Sequence, residues 1–220
     1  LRHTMWLHTD KVQDQSGDPK RVSSANTSMK SACYMPIVKG KVNDTEIVYA
    51  VLDTASSSTF CSRALVEKLG ITGVKQNFRL CTLNDSTSQN SEHVQLHVSS
   101  SDGHQIDMSG VYVIDQIPVS NSSIDVRKYP HLEDLDFPDY CDIHHVDILI
   151  GQDFSEALVP MEVRRGNAGE PFAIRSILGW CLNGKVDTNR VCQRVISNFV
   201  SASPASNSKE IDEYVDRLWK

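Results

Sequence analysis

The 220-residue sequence predicts an all-β domain with short helices. Three observations carry that expectation. Two runs of apolar and β-branched residues, Ile47–Leu52 and Val146–Ile150, read as buried strands, each closed by an acid or a glycine. Val94, Leu96 and Val98 alternate with polar neighbours, and Ile106, Met108, Val111 and Val113 supply strand residues beyond the turn Ser101-Asp102-Gly103-His104. The helix after the first run is short: Ser62 stands as its N-cap, Leu65 and Leu69 share a face, and Gly70 sits where a left-handed residue closes it.

In chain order, Leu1–Asp10 is His-rich and lacks the apolar stretch of a secretory signal, and Lys11–Ser31 reads as a solvated linker. The absence of an initiator Met suggests a segment of a longer product. The folded region is expected to begin near Ala32, where Ala32–Val38 contains a proline and suits an edge strand. Gly40–Asp44 is expected to turn the chain, and Thr45–Leu52 to return as a hairpin that delivers Asp53. Phe78–Leu83 is strand-like, Asn84–Ser91 is a polar tip, and His93–Val98 returns. From Pro118 to His145 the pattern decays into a long loop with one or two helical turns, whose acids form a solvated face. Ser155–Val163 and Pro171–Asn183 are expected to complete the sheet and the dimer-facing end. Polarity returns from Val186, with Ser201–Ser208 as a linker and Lys209–Lys220 at helical spacing.

Composition narrows the function. A 40% hydrophobic content fits a globular core, and a net charge of −6 without a basic stripe excludes a nucleic-acid surface. No apolar run reaches the length of a membrane span, so the expected location is intracellular and cytoplasmic. The six cysteines contain no C-x-x-C pair and read as reduced core thiols, with a disulfide framework as the alternative.

Asp53 is the candidate catalytic residue, a carboxylate at the exit of a strand followed at once by Thr54, Ala55 and Ser56. Held beside a second carboxylate, such a group shares one proton, because two like charges roughly 3 Å apart cannot both ionise; the pair is acid and base at once and can activate water against an amide. The hydroxyls of Thr54 and Ser56 and the turn N–H groups can hold the ionised oxygens. The plainer alternative is an Asp that opens an Asx-turn after a strand.

The run Asp53-Thr54-Ala55 after an apolar strand, with Ile148-Leu149-Ile150-Gly151 about a hundred residues later, resembles the retropepsin-like aspartic proteases. Ile148–Phe154, Leu158-Val159-Pro160, Gly169–Ala173 and Leu178–Gly184 resemble, more narrowly, the aspartic peptidase segment of BEL/Pao-type retrotransposon polyproteins. The resemblance spans roughly residues 32–186. It implies a retropepsin-like acid protease barrel, one lobe per chain, with Asp53 catalytic, Thr54, Ala55 and Ser56 shaping the active-site loop, and Ile150 and Gly151 supporting it from beneath. It also places residues 1–31 as a linker following a gag-type zinc knuckle, and residues 187–220 as a linker and helical lead-in towards a reverse transcriptase. The family triplet usually ends in Gly where this chain has Ala55, and a Cβ there is tolerable at negative φ and costly at positive φ. A flap is implied near the hairpin tip at 84–91, which equally suits an ordinary surface hairpin.

A single-chain enzyme of two lobes would carry two such triplets. The internal rival, Val186-Asp187-Thr188-Asn189, follows Gly184-Lys185 instead of an apolar strand. The expected active form is therefore a homodimer in which each copy gives one Asp53, acting on an extended polypeptide held as an added strand. This requires Asp53 to reach a surface that a second copy can cover. No cofactor and no metal is expected: His93 and His97 lie in a strand pattern, and the Cys141, His144, His145, Asp147 cluster, the basis of a metal-hydrolase alternative, lacks a matching partner pair. A catalytically silent retropepsin fold serving as a dimerisation or peptide-binding module is the other alternative.

Overall fold

A computed structural model describes residues 31–82, 86–119, 124–140, 143–187 and 200–204. Its strands, in chain order, are β1 (Ser31–Tyr34), β2 (Ile37–Val42), β3 (Glu46–Leu52), β4 (Phe60–Ser62), β5 (Val74–Thr82) and β6 (Ser86–Ser99). They continue with β7 (Gln105–Ile114), β8 (Ile148–Ile150), β9 (Glu162–Arg164), β10 (Phe172–Ser176), β11 (Gly179–Asp187) and β12 (Val200–Pro204). One helix, α1 (Arg63–Leu69), and short 3-10 turns at Val126–Lys128, Pro130–Leu132 and Gln152–Ala157 complete the described elements.

Six strands close on themselves in the order β6-β2-β3-β8-β4-β7, with β7 pairing back to β6. This is a small barrel. Closure removes the unpaired edges that an open sheet would expose. Val38, Val48, Ala50, Leu52, Leu96, Met108, Val113, Ile148 and Ile150 belong to one buried cluster, so alternate residues of each strand point inward. Register between β6 and β7 slips by one residue where Val94 faces Val111 and Leu96 faces Met108; the extra residue includes Gly110 at φ +76, which a side chain would strain. A bulge there bends the long ribbon around the barrel.

The β2–β3 hairpin delivers Asp53 as expected, and turns at the far end of the expected Gly40–Asp44 span. Asn43 and Asp44 take the left-handed conformation (φ 52° and 59°), which their short polar side chains tolerate, whereas Gly40 stays in β2. A Cβ at Gly40 would come 3.1 Å from the Ser99 carbonyl, so closeness selects glycine here. Ala32–Val38 is two strands rather than one extended segment. The chain breaks at Met35-Pro36: β1 joins β11, and β2 joins the barrel.

Residues 155–163 and 171–183 do not complete the barrel sheet. β9, β10 and β11 form, with β1 at one edge, a separate four-stranded antiparallel sheet in the order β1-β11-β10-β9. Ala173 and Leu182 from this sheet join Ile37, Val51, Phe60, Phe78 and Leu149 in a second buried cluster. The 118–145 loop contributes Tyr129, Leu132, Tyr140 and Ile143 to that cluster, with the Tyr140 hydroxyl accepting the Leu182 N–H at 2.9 Å. Its acids Asp125, Glu133, Asp134, Asp136 and Asp139 are exposed, the solvated face the sequence indicated.

The polar residues 86–91 belong to β6 and pair with β5 from Cys81 to Gln76, so the described strands leave only 83–85 between them. On the β5 side of this ribbon Phe78 is fully buried in the second cluster, whereas Ser88 and Asn90 of β6 are exposed. Val200–Pro204, placed by sequence in a linker, pairs with β5 as β12. Residues 1–30 and 205–220, with the zinc-knuckle linker and helical lead-in expected of them, lie outside the described residues. Among the described residues no helix is long and apolar enough to cross a membrane.

The α1 caps match the sequence reading. Ser62 Oγ accepts the Leu65 N–H at 3.2 Å, and Gly70 closes the helix at φ 62° with its N–H returned to the last turn. Replacing Ser62 by Ala leaves that N–H without its partner, and chemical denaturation is expected to show a loss of about 1 kcal/mol.

Candidate active site

Asp53 stands one residue beyond β3, and its N–H donates to the Ile150 carbonyl at 2.9 Å. That bond follows from parallel pairing: Ala50, Val51 and Leu52 lie beside Ile148, Leu149 and Ile150, so both strands end together and the acid emerges at the exit of the pair. The Ala55 N–H donates to Asp53 Oδ1 at 2.9 Å, and the Ser56 N–H donates to the Asp53 carbonyl at 3.2 Å. These are the contacts of an Asx-turn, so the plainer sequence reading is also true of the local geometry. Asp53 Oδ2 is buried with no hydrogen-bond partner among the described residues. Burial pushes the Asp53 carboxyl above its ordinary value, against the opposing pull of the Ala55 and Ser56 N–H groups.

The expectation that this carboxylate stands open in a single chain is not met. Asp53 is 6% exposed, and the surface above it is made by Thr54, Ala55 and Ser57, which are exposed. The turn closes back on the acid through the Ala55 and Ser56 N–H groups. Ala55 is not among the residues with positive φ, so its Cβ meets no backbone penalty in place of the usual glycine.

The strand end beneath the turn fixes its shape. A Cβ on Gly151 would lie 2.5 Å from the Ser58 carbonyl oxygen and 2.9 Å from that of Ser56, so only glycine lets the two segments touch. The Gln152 N–H donates to the Ser56 carbonyl at 2.9 Å, and Gln152 Nε2 donates to the Thr54 carbonyl at 2.9 Å. Ser56, fully buried, donates its hydroxyl to the Ser58 carbonyl at 2.7 Å. That bond holds the turn.

Thr59 and Asp153 form a clamp that sequence reasoning did not single out. The Thr59 hydroxyl donates to Asp153 Oδ1 at 2.6 Å and accepts the Gly151 N–H at 2.9 Å, while the Thr59 N–H donates to Asp153 Oδ2 at 2.8 Å. A Thr six residues past the acid and an Asp two past the glycine carry no local signal; the pairing appears only when β4 and β8 lie side by side. Replacing Thr59 by Val keeps the shape and removes the hydroxyl that satisfies the buried Gly151 N–H. The expected loss is about 1–3 kcal/mol in denaturant melts, with lower turnover per folded molecule in a peptide-cleavage assay.

The other titratable candidates play no part at this turn. Asp147 is buried at the start of β8, where Oδ2 accepts the Tyr49 N–H at 3.3 Å and Oδ1 meets His145 Nε2 at 3.2 Å; burial raises its carboxyl as well. No group of three or more metal-binding side chains occurs among the described residues, and Cys141 lies outside them. Cys33, Cys61 and Cys181 are free thiols, and burial pushes Cys61 and Cys181 up to about 12, so neither supplies a thiolate near neutral pH.

A closed six-stranded barrel that presents one acid on a hydroxyl-rich turn, pinned from below by a strand ending Ile-Gly, is a retropepsin-like acid protease lobe. Residues 38–154 match the family model described as aspartyl protease, more than half of the chain, and the chain belongs to that family. No curated protein and no solved structure gives a significant match.

Proposed function

We propose that the chain is an aspartic endopeptidase of retropepsin type, acting inside the cell on an extended segment of the retroelement polyprotein from which it comes. The observation that carries this reading is the placement of Asp53: a raised carboxyl at the exit of β3, under an exposed turn and pinned by Ile150, Gly151 and Gln152. A second copy packed against this turn would bring its own Asp53 to the first only as the two turns part, and Oδ2 would gain its partner in that pair. One carboxylate then takes a proton from water as the oxygen attacks the peptide carbonyl, and the other gives its proton to the carbonyl oxygen. Collapse of the tetrahedral adduct breaks the C–N bond: the leaving nitrogen takes a proton from one carboxyl while a hydroxyl of the adduct returns its proton to the other as the C=O re-forms, so the pair ends with the single proton it began with. The motifs at 148–154, 158–160, 169–173 and 178–184 support a BEL/Pao-type source.

The covered carboxylate favours a second reading, a silent protease fold that binds a second copy or a peptide without cutting it. An assay with a mixture of extended peptides, with and without a pepstatin-type inhibitor, separates the two. Inhibitor-sensitive cleavage whose specific rate rises with enzyme concentration, as an associating pair requires, supports the protease; binding without cleavage at any concentration selects the silent module.

A further inference from the structure

β9 is an edge strand: among the described residues it pairs with β10 and with nothing on its other side. Its central residue Val163 is 44% exposed, and Met161, two residues earlier, is 54% exposed. Phe172, at the start of β10, is a third large apolar side chain left to solvent nearby. An uncovered strand edge with apolar side chains is a template for another strand, and soluble chains usually blunt such an edge with charge or cover it.

The charges here do neither, because they are self-complementary. β9 reads Glu162-Val163-Arg164. If two copies pair antiparallel about a two-fold axis through Val163, Glu162 faces the partner's Arg164, and Arg164 faces the partner's Glu162, whichever of the two antiparallel hydrogen-bond phases is used. Within one chain Arg164 Nη1 reaches Asp134 Oδ1 at 2.9 Å, while Arg164 Nη2 stands 3.7 Å from Glu162 Oε1. Glu162 is thus only loosely held and available to a better-placed cation. A parallel pairing would set Glu162 against Glu162 and Arg164 against Arg164, so charge selects one orientation.

We propose that β9 is a self-association edge, on which a second copy of this chain docks antiparallel about Val163. This surface belongs to the four-stranded sheet and contains no residue of the Asp53 turn, so it is separate from the two-fold pair invoked for catalysis. A chain with both contacts would link pairs into larger assemblies. Neither contact depends on the other.

The test uses the full chain carrying Val163→Cys, with Val74→Cys, a more exposed site away from the axis (64% against 44%), as the measure of random collision. Under mild oxidation the expected result is a disulfide between the two 163 positions, mapped by mass spectrometry and at least ten-fold above the position-74 yield. Adding Glu162→Lys should cut that yield at least ten-fold, and adding Glu162→Lys with Arg164→Glu should restore it, with circular dichroism verifying that each variant is folded. A yield no greater than at position 74 overturns the proposal. So does a link indifferent to Glu162→Lys, or a folded double variant that fails to recover. Peptide cleavage by the Val163→Cys chain with and without Glu162→Lys is scored in parallel: activity kept while the cross-link is lost separates this edge from the catalytic pair, and activity lost together with it overturns that separation.

Discussion

Asp53→Asn is expected to abolish peptide cleavage and, at the same time, to stabilise the chain near neutral pH. Loss of the acid removes the group that exchanges protons with water and substrate, a loss of about 10²- to 10⁴-fold or more in turnover. The stability gain comes from the same burial. Asp53 is 6% exposed, with Oδ2 unpartnered, and a neutral amide costs less to cover than a carboxylate. The sign follows from linkage. The folded-state pKa of Asp53 is raised above 3.8, so the folded chain holds this proton more tightly than the unfolded chain does. Wild-type stability from this group is full below the unfolded value and is lost as pH rises through the folded value. The variant has no such dependence at position 53. Denaturant melts should therefore show the two chains close together at pH 3 and the variant ahead at pH 7 by about 1 kcal/mol, the scale of one buried unsatisfied group. Asp147, raised in the same direction, is present in both chains and cancels in the difference. An unchanged gap across that range would show that Asp53 is not the source, and undiminished cleavage by the variant would end its assignment as the acid.

The central strands and the position of the acid were legible because both are written locally, whereas the closed barrel was implied by the family resemblance alone. Ile47–Leu52 and Ile148–Ile150 are apolar over consecutive positions, as strands flanked on both sides must be, and an acid directly after such a run has nowhere to lie but at its exit. Ser62 and Gly70 were equally readable, since a cap is decided by its own few residues. The illegible parts are those set by distant partners. Nothing near Thr59 announces that its hydroxyl serves both Gly151 and Asp153, more than ninety residues away. Val200–Pro204 reads as a linker because Ser, Ala and Pro have the composition of one; backbone pairing with β5 makes it a strand. Asn43 and Asp44 carry the turn inside the expected Gly40–Asp44 span, whereas Gly40 stays in β2, where its lack of a side chain serves contact with Ser99. Exposure of Asp53 was the harder miss. Whether a turn folds back over its own acid depends on what pulls it down, and here that is Gln152 and Gly151 from another part of the chain.

Gly151→Ala is expected to damage the site more than the fold. The backbone at 151 has φ −102° and ψ −170°, extended values that alanine adopts freely, so any effect is one of space rather than conformation. The added Cβ would sit 2.5 Å from the Ser58 oxygen, 2.8 Å from its carbonyl carbon and 2.9 Å from the Ser56 oxygen. All three are backbone atoms. They cannot swing aside as a side-chain end would, because the Ser56 carbonyl accepts the Gln152 N–H and the Ser58 carbonyl accepts the Ser56 hydroxyl. The turn must lift as a body, carrying the Asp53 support with it. Overpacking of this kind costs about 1–3 kcal/mol, and misplacing a reacting group by about 1 Å can cost some 10²-fold in rate. Gly40→Ala is the comparison that separates the two losses: its Cβ would press on the Ser99 carbonyl at 3.1 Å, in β2 and away from the acid's turn. Both variants should melt earlier than the parent. Measured per folded molecule, cleavage should survive in Gly40→Ala and fall by about two orders of magnitude in Gly151→Ala. If the two variants lose activity only in proportion to the fraction unfolded, Gly151 supports the barrel alone and the contact with Ser56 and Ser58 does not set the position of Asp53.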